Sequence, residues 1–371
     1  MSRARTFADL ATASEAGNLG QANLIINGDM SVAQRGTSSS TSGYNSIDRY
    51  NNQWGQISAT QTQQSLTSGS PYEAGFNNFL RLTNTSTSTN TFSYQQVTQV
   101  IEAQNIANSG WNFKSSSSFI TLSFWARSSL AGTYYVRINT DDGTTYYRIK
   151  AFTLSADTWT KVTFTIEGNS NLTINDDNGA GLYVMLVPHY GTSYTGSNAS
   201  TTTWFTLTNN EYFPNFAQDW GNTSSATFDM TGLQLELGKV ATPFKHESFG
   251  DNLARCQRYY FKCGLAANTF IGGAGWARDN NSIHVSCPYP VTMRVAPTAL
   301  ETSGTSSDYE VNYRALSATV SSGPSFDTAN RFGAFISADV SGTPLTAGDS
   351  LRLVGSSGGG TDSFLAWSAE L

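Results

Sequence analysis

Over much of the chain, apolar and polar residues alternate one by one. The clearest run is Thr231-Gly232-Leu233-Gln234-Leu235-Glu236-Leu237-Gly238, where Leu233, Leu235 and Leu237 alternate with Gln234 and Glu236. A two-residue period is that of a strand with one buried face. Gly238 ends the run, and Pro243 beyond it cannot donate to a ladder. The run is expected to be the last strand of a first domain, with the boundary between Gly238 and Cys256. The same alternation puts Ile120, Leu122 and Phe124 on one face, opposite Thr121, Ser123 and Trp125. Val162, Phe164 and Ile166 point inward, as do Leu182, Val184 and Leu186. Strands are also predicted over residues 80–82 and 92–100. Asn23-Leu24-Ile25-Ile26-Asn27-Gly28-Asp29-Met30 reads as a strand ending in a turn. Residues 31–44, rich in Ser, Thr and Gly, read as loop, and Ile47-Asp48-Arg49-Tyr50 as a return to the sheet.

Residues 134–152 read as a hairpin around Thr140-Asp141-Asp142-Gly143. A two-residue turn at Asp142-Gly143 would set Arg137 opposite Arg148, a clash of like charges. A four-residue loop, Thr140 to Gly143, puts Tyr135 opposite Arg148 and Val136 opposite Tyr147, and is the expected register. Polar loops follow: residues 189–205, carrying Tyr190, Tyr194 and Trp204, and residues 211–219, with Tyr212, Phe213 and Phe216 around Pro214. Shorter strands are predicted at 255–263, 282–287, 309–316, 332–338 and 364–371. Strand periods every dozen or so residues, with no long helical period, predict an all-β chain: a β-sandwich, then a smaller β-domain.

Composition narrows the class. The chain has 371 residues, room for two domains and a large core. Charged residues are 13% of it, against roughly a quarter in ordinary soluble proteins, while 39% are hydrophobic. That describes a surface kept polar by Ser, Thr, Asn, Gln and Gly, not a disordered chain. A net charge of −6 with no basic stripe argues against a nucleic-acid partner. No apolar run approaches the ~20 residues that span a bilayer. The first residues lack the apolar core of a secretory signal, so synthesis is expected in the cytoplasm of the producing cell, without membrane insertion. Cys256, Cys263 and Cys287 form neither a disulfide framework nor a zinc pattern and read as buried free thiols.

Several stretches carry a resemblance. "GLQLELGKVATPF" (232–244) followed by "CQRYY" (256–260) resembles a module common in bacteriophage tail fibres and related virion appendages. "IDRY" (47–50), "YPVTMRVAPT" (289–298) and the closing "SAEL" (368–371) fit the same fibre proteins, and "NLIINGDM" (23–30) is similar to the first strand of jelly-roll carbohydrate-binding modules. The resemblance implies a structural virion protein of a tailed phage, a fibre or fibre-like appendage that attaches to host-surface glycan. It implies a jelly-roll sandwich over residues 22–249, a smaller β-domain over 250–371, and a homotrimer on the particle surface, although no coiled-coil heptads are present. Residues 1–21 would be a virion-attachment segment that binds other virion proteins. There Phe7 and Leu10 share one face of a short helix, near Arg3 and Arg5. Sugar modules of this kind often hold a structural calcium between first and last strands, which would fall to Asp29 and Asp229.

No nucleophile–base motif, phosphate loop or dinucleotide fingerprint is visible, and His189, His246 and His284 lie far apart. Glycosidases need two carboxyls about 5–10 Å apart across a cleft. Asp141-Asp142 and Asp176-Asp177 instead sit beside Gly or Asn, where Asp caps turns. No catalytic residue is expected. Sugar rings stack on exposed aromatic faces, so the loop aromatics Tyr190, Tyr194 and Trp204 are the candidate ligand contacts. A capsid decoration or connector protein and a glycan-cleaving tailspike remain alternatives.

Overall fold

A computed structural model describes residues 23–265, 270–314, 316–342, 345–356 and 363–371. Arg3, Arg5, Phe7 and Leu10, the expected attachment residues, lie outside them. The chain divides into two compact units, one reaching Asn252 and one running from Leu253 to Glu370.

The first unit is a jelly-roll sandwich of antiparallel strands. Its strands are β1 (Ser38–Ser39), β2 (Asn51–Gly55), β3 (Ala59–Ser65), β4 (Asn78–Asn84), β5 (Tyr94–Glu102), β6 (Phe119–Ser128), β7 (Gly132–Thr140), β8 (Tyr147–Leu154), β9 (Thr160–Glu167), β10 (Ala180–Tyr190) and β11 (Thr227–Leu237). One sheet has the order β1-β3-β4-β11-β6-β9, the other β2-β5-β10-β7-β8. The alternating residues read from the sequence form the core between them: Ile120, Leu122 and Phe124 of β6, Leu182, Val184 and Leu186 of β10, and Leu233 and Leu235 of β11 are all buried together.

β11 sits inside its sheet, between β4 and β6. Its register against β6 slips by one residue between Thr231 and Gln234, a β-bulge. Gly232 takes φ +65° there, and a Cβ on it would lie 2.6 Å from Cζ of Phe76. The bulge resets the alternation, so Phe228 and Met230 before it and Leu233 and Leu235 after it all face the core. Gln234 and Glu236 are also buried, on the outer face. The chain doubles back over them: Glu236 accepts from the Thr242 amide at 2.9 Å and from its hydroxyl at 2.6 Å, and Gln234 Oε1 accepts from the Lys245 amide at 2.9 Å.

Three readings are corrected. Residues 23–30 are buried but form no strand, and Asn27 and Met30 have positive φ. The segment is stitched in by single bonds. The Leu24 amide donates to Leu235 O at 3.0 Å, and both backbone groups of Ile26 bond the Gln99 amide side chain. Ile47-Asp48-Arg49-Tyr50 is a buried turn before β2 rather than a strand. The Asn27 side chain donates to Val32 O and Asp48 O at 2.9 and 3.0 Å, which ties the two segments together. The β7–β8 hairpin pairs Ile138 with Arg148 and Arg137 with Ile149, and residues 141–146 connect the two strands. The like charges are kept apart, as expected, but by placing them on opposite faces. The loop's shape is fixed from a distance: Asp142 accepts from the amide and side chain of Asn175 at 2.8 and 2.7 Å.

The second unit begins in a helix, Phe249–Gln257, where a strand was expected from residue 255. Its strands are β12 (Tyr260–Leu265), β13 (Phe270–Ala277), β14 (Ser282–Pro288), β15 (Glu301–Thr302), β16 (Tyr309–Tyr313), β17 (Leu316–Ala329), β18 (Gly333–Ser341), β19 (Ser350–Gly355) and β20 (Ser363–Ser368). Six close into a barrel, β13-β14-β18-β17-β16-β19, beside a three-stranded sheet, β12-β20-β15. The expected continuous strand over 309–316 breaks at Arg314, whose φ is +51°, into β16 and β17. Cys256 and Cys287 are buried, as read, whereas Cys263 is half-buried.

Candidate functional site

The outer face of the five-stranded sheet holds several polar groups without partners, among others elsewhere in the first unit. Register puts one row straight across it: Asn51 of β2 faces Thr98 of β5, Thr98 faces Met185 of β10, Met185 faces Arg137 of β7, and Arg137 faces Ile149 of β8. Paired residues share a face. The adjacent row is Val100, Tyr183, Asn139 and Tyr147. Asn51 Oδ1, Thr98 Oγ1, Asn139 Oδ1 and Arg137 Nε and Nη1 are all buried with no hydrogen-bond partner. Buried polar groups are ordinarily satisfied, so four such residues in two neighbouring rows need a physical explanation.

Arg137 is only 7% exposed. Its guanidinium lies 5.0, 5.4 and 5.3 Å from the ring centroids of Tyr147, Tyr212 and Phe213. Those faces offset part of the cost of burying the charge. Desolvation pushes its pKa down, with Tyr190, Tyr147 and Tyr212 acting weakly the other way. A guanidinium still keeps its proton in proteins.

Beside this row stands a group of half-buried tyrosines. A register shift in β10 after Leu186 brings Tyr190 opposite Tyr94. Tyr190 packs 5.6 Å from Tyr94, 5.7 Å from Tyr194 and 6.3 Å from Tyr212 between ring centroids. Phe92, 54% exposed, extends the group 5.8 Å from Tyr194. The Tyr190 hydroxyl donates to Gln96 Oε1, while Gln96 Nε2 donates to Gln53 Oε1 at 3.0 Å. Burial pushes the Tyr190 phenol well above its ordinary pKa. The loop after β10 supplies Tyr194 and Tyr212, and Phe213 packs beneath it on Tyr135, Ile149, Met185 and Val187.

Of the three aromatic residues expected to meet ligand, Tyr190 and Tyr194 are thus together, but Trp204 is elsewhere. Trp204 packs on the sandwich core and donates from Nε1 to Glu167 O at 2.8 Å, which pins the loop. It borders a separate pocket of about 260 Å³ with Lys114, Glu167, Asn169 and Thr203. Sequence reasoning missed Tyr94, Tyr147, Tyr212, Arg137, Gln96 and Thr98. Arg137 left one signal, a charge inside the apolar run Tyr134-Tyr135-Val136-Arg137-Ile138.

The two aspartates named for calcium are engaged separately. Asp229, fully buried, takes Arg81 through both its oxygens at 2.8 and 2.9 Å, and Arg127 at 2.9 and 2.7 Å through one. Asp29 accepts from the Ser31 hydroxyl and from Asn252 Nδ2, both at 3.0 Å. They share no partner, and two guanidinium groups already neutralise Asp229. Among the described residues no three His, Cys, Asp or Glu side chains gather where they could hold a metal ion. Of the paired carboxylates, Asp177 caps its own turn, accepting from the Gly179 amide at 2.8 Å, while Asp176 accepts from the distant Asn108 Nδ2 at 2.7 Å.

A larger pocket, about 470 Å³, opens on the outer face of the six-stranded sheet between Trp125, Phe76, Phe244, His246 and Lys161. The polar residues of β11 nearest it, Gln234 and Glu236, are hydrogen-bonded to each other and to Thr242.

No protein-family model matches the chain, and no curated protein matches it. Solved structures similar to it include a CBM4 structure, at 12% identity and a TM-score of 0.30, over 57% of this chain and 97% of that one. The N-terminal cellulose-binding domain of Cellulomonas fimi β-1,4-glucanase C aligns at 10% identity and a TM-score of 0.29, over 57% of this chain and all of the other. A family 30 carbohydrate-binding module aligns at 10% and 0.29, over 62% of this chain and 95% of that one. Likenesses this distant carry no argument about ligand.

Proposed function

We propose that the first unit binds glycan on the outer face of its five-stranded sheet, and that the chain is a structural, non-catalytic protein of a tailed-phage particle, a fibre or fibre-like appendage. One observation carries the ligand reading: orphaned Asn, Thr and Arg side chains lie in two cross-strand rows beside half-buried tyrosine rings. A sugar supplies what such a face lacks. Its hydroxyls donate and accept hydrogen bonds at close spacing, and its ring faces stack on aromatic side chains. The virion reading rests on the resemblance of residues 232–244, 256–260 and 289–298 to fibre proteins. A trimer would present three weak sites to one cell surface, which adhesion through avidity requires.

Binding to an array of bacterial surface glycans tests the ligand reading, with Tyr190→Ala and Thr98→Val expected to weaken the signal. A wild-type protein that retains no glycan on the array would sink it. Gold-labelled antibody on purified particles tests location: label on tails supports an appendage, and label on heads supports capsid decoration. Residues 1–21 are proposed to attach the protein to other virion proteins. Deleting residues 2–20 should leave a folded protein that is missing from particles, and normal incorporation would refute that role. Unchanged chain length of host polysaccharide after incubation is expected, and product release would establish a tailspike enzyme instead.

A further inference from the structure

The glycan face contains a charge with no counter-charge. The other arginines buried in the first unit have anionic or carbonyl partners: Arg148 donates to Glu167 at 3.2 Å and to Thr201 O at 2.8 Å, and Arg49 donates to Val100 O at 2.6 Å. Arg81 and Arg127, both less buried, share Asp229. Arg137 has neither kind of partner on Nε or Nη1. The groups that act on its charge are the phenols of Tyr190, Tyr147 and Tyr212, none of them a carboxylate.

We infer that Arg137 is the receptor for a carboxylate, so that the glycan taken by this face carries an acidic sugar. The inference rests on the reading of the face as a glycan site and narrows it to one chemical class. A guanidinium offers a planar fork of N–H donors, which a carboxylate fills with two parallel bonds. Such a fork pairs Nε with Nη2, as Arg81 does on Asp229, or pairs the two Nη atoms, and either edge of Arg137 includes one of its orphans, Nε or Nη1. A carboxylate there would restore charge balance to a buried cation, which hydroxyls alone cannot do. The rest of the sugar would find Thr98 and Asn51 along the same row and Asn139 in the next. Tyr147 and Tyr212, both half-buried, flank the position as ring platforms. The chain's net charge of −6 gives no general attraction to polyanions, so selectivity must come from this one contact.

The test uses the full chain and matched ligands. Oligosaccharides containing hexuronic acid or a terminal nonulosonic acid are titrated calorimetrically beside their carboxyl-reduced counterparts, which differ only at the acid. A charge-assisted pair contributes enough that reduction should weaken binding at least about tenfold. Arg137→Met should bind acid and alcohol forms alike, and Arg137→Lys, which keeps charge but not the fork, should recover only part of the preference. Because the reduced ligand probes the wild-type protein, the result stands even where a variant folds poorly. Equal affinity of wild type for acid and reduced forms overturns the inference and leaves the glycan reading intact. Absence of binding to every sugar, neutral ones included, overturns both.

Discussion

At the scale of single residues, two buried groups of the first unit, Asp229 and His189, lead to distinct expectations for stability. Asp229 is fully enclosed and carries two arginines, whose side chains are 31% and 25% exposed. Removing it as Asp229→Ala leaves both cations facing each other across a partly dry surface. The expected cost is about 2–4 kcal/mol, below the range for fully buried pairs because water reaches the arginines. Urea unfolding measures it, and replacing all three residues with apolar ones should restore much of the loss. A shift under ~0.5 kcal/mol would mean that solvent already screens the cluster. His189 acts differently. Desolvation lowers its pKa to about 4, against a weaker opposing pull from Asp219. Its Nε2 lies 2.8 Å from Ser93 Oγ. Unfolded, the imidazole titrates near 6.5. Above that value both states are neutral and the full stability is present. As pH falls towards 4, only the unfolded chain takes up the proton, so stability declines by up to about 3 kcal/mol, then levels off. His189→Gln should flatten that part of the stability–pH curve, and an unchanged slope would rule out His189 as its source.

At the scale of elements, β11 shows how one glycine sustains a pattern. The alternation read from Leu233, Leu235 and Leu237 is real, but it continues from Phe228 and Met230 only because the bulge at Gly232 shifts the count by one. Gly232→Ala meets a positive φ and the Phe76 ring 2.6 Å away. It should cost about 1–3 kcal/mol, read as a lower thermal midpoint. No change in midpoint would mean that the bulge can relax. The strands β6, β9 and β11 were legible because each sets apolar core-facing residues against largely polar ones on the opposite face. β7 was legible as a strand but not in its register. Tyr134, Val136 and Ile138 face the main core, while Tyr135 is buried under Phe213 on the other side, so both parities look apolar. Parity therefore could not align β7 with β8. The loop length was settled by Asp142 reaching Asn175, 33 positions along the chain. The segments 23–30 and 47–50 read as strands in the sequence, yet their backbone groups bond side chains such as Gln99 and Asn27 instead of a ladder.

At the scale of the whole molecule, low charge bears on assembly. Edge strands and apolar surface are ordinarily guarded by charge, which is only 13% of this chain. Phe332, Phe249, Val240 and Phe92 are each more than half exposed. A closed symmetric interface would cover such groups, and a homotrimer is the proposed assembly. Light scattering at micromolar concentration should give a mass near three times the 40.0 kDa chain. A mass of one chain that does not rise with concentration would leave only trimers templated by a particle.

The sequence by itself determined the β class and the inward residues of the long strands, because both follow from local period. Only the tertiary structure decided the rest. Trp204 is a core residue because Glu167 O and the sandwich claim it, and Asp229 is a structural carboxylate because β4 and β6 each bring it an arginine. The proposed site was not legible because its members come from β2, β5, β7, β8, β10 and the loop after β10. Cross-strand register alone sets Asn51, Thr98 and Arg137 in one row, and only burial shows that Arg137 lacks a counter-charge.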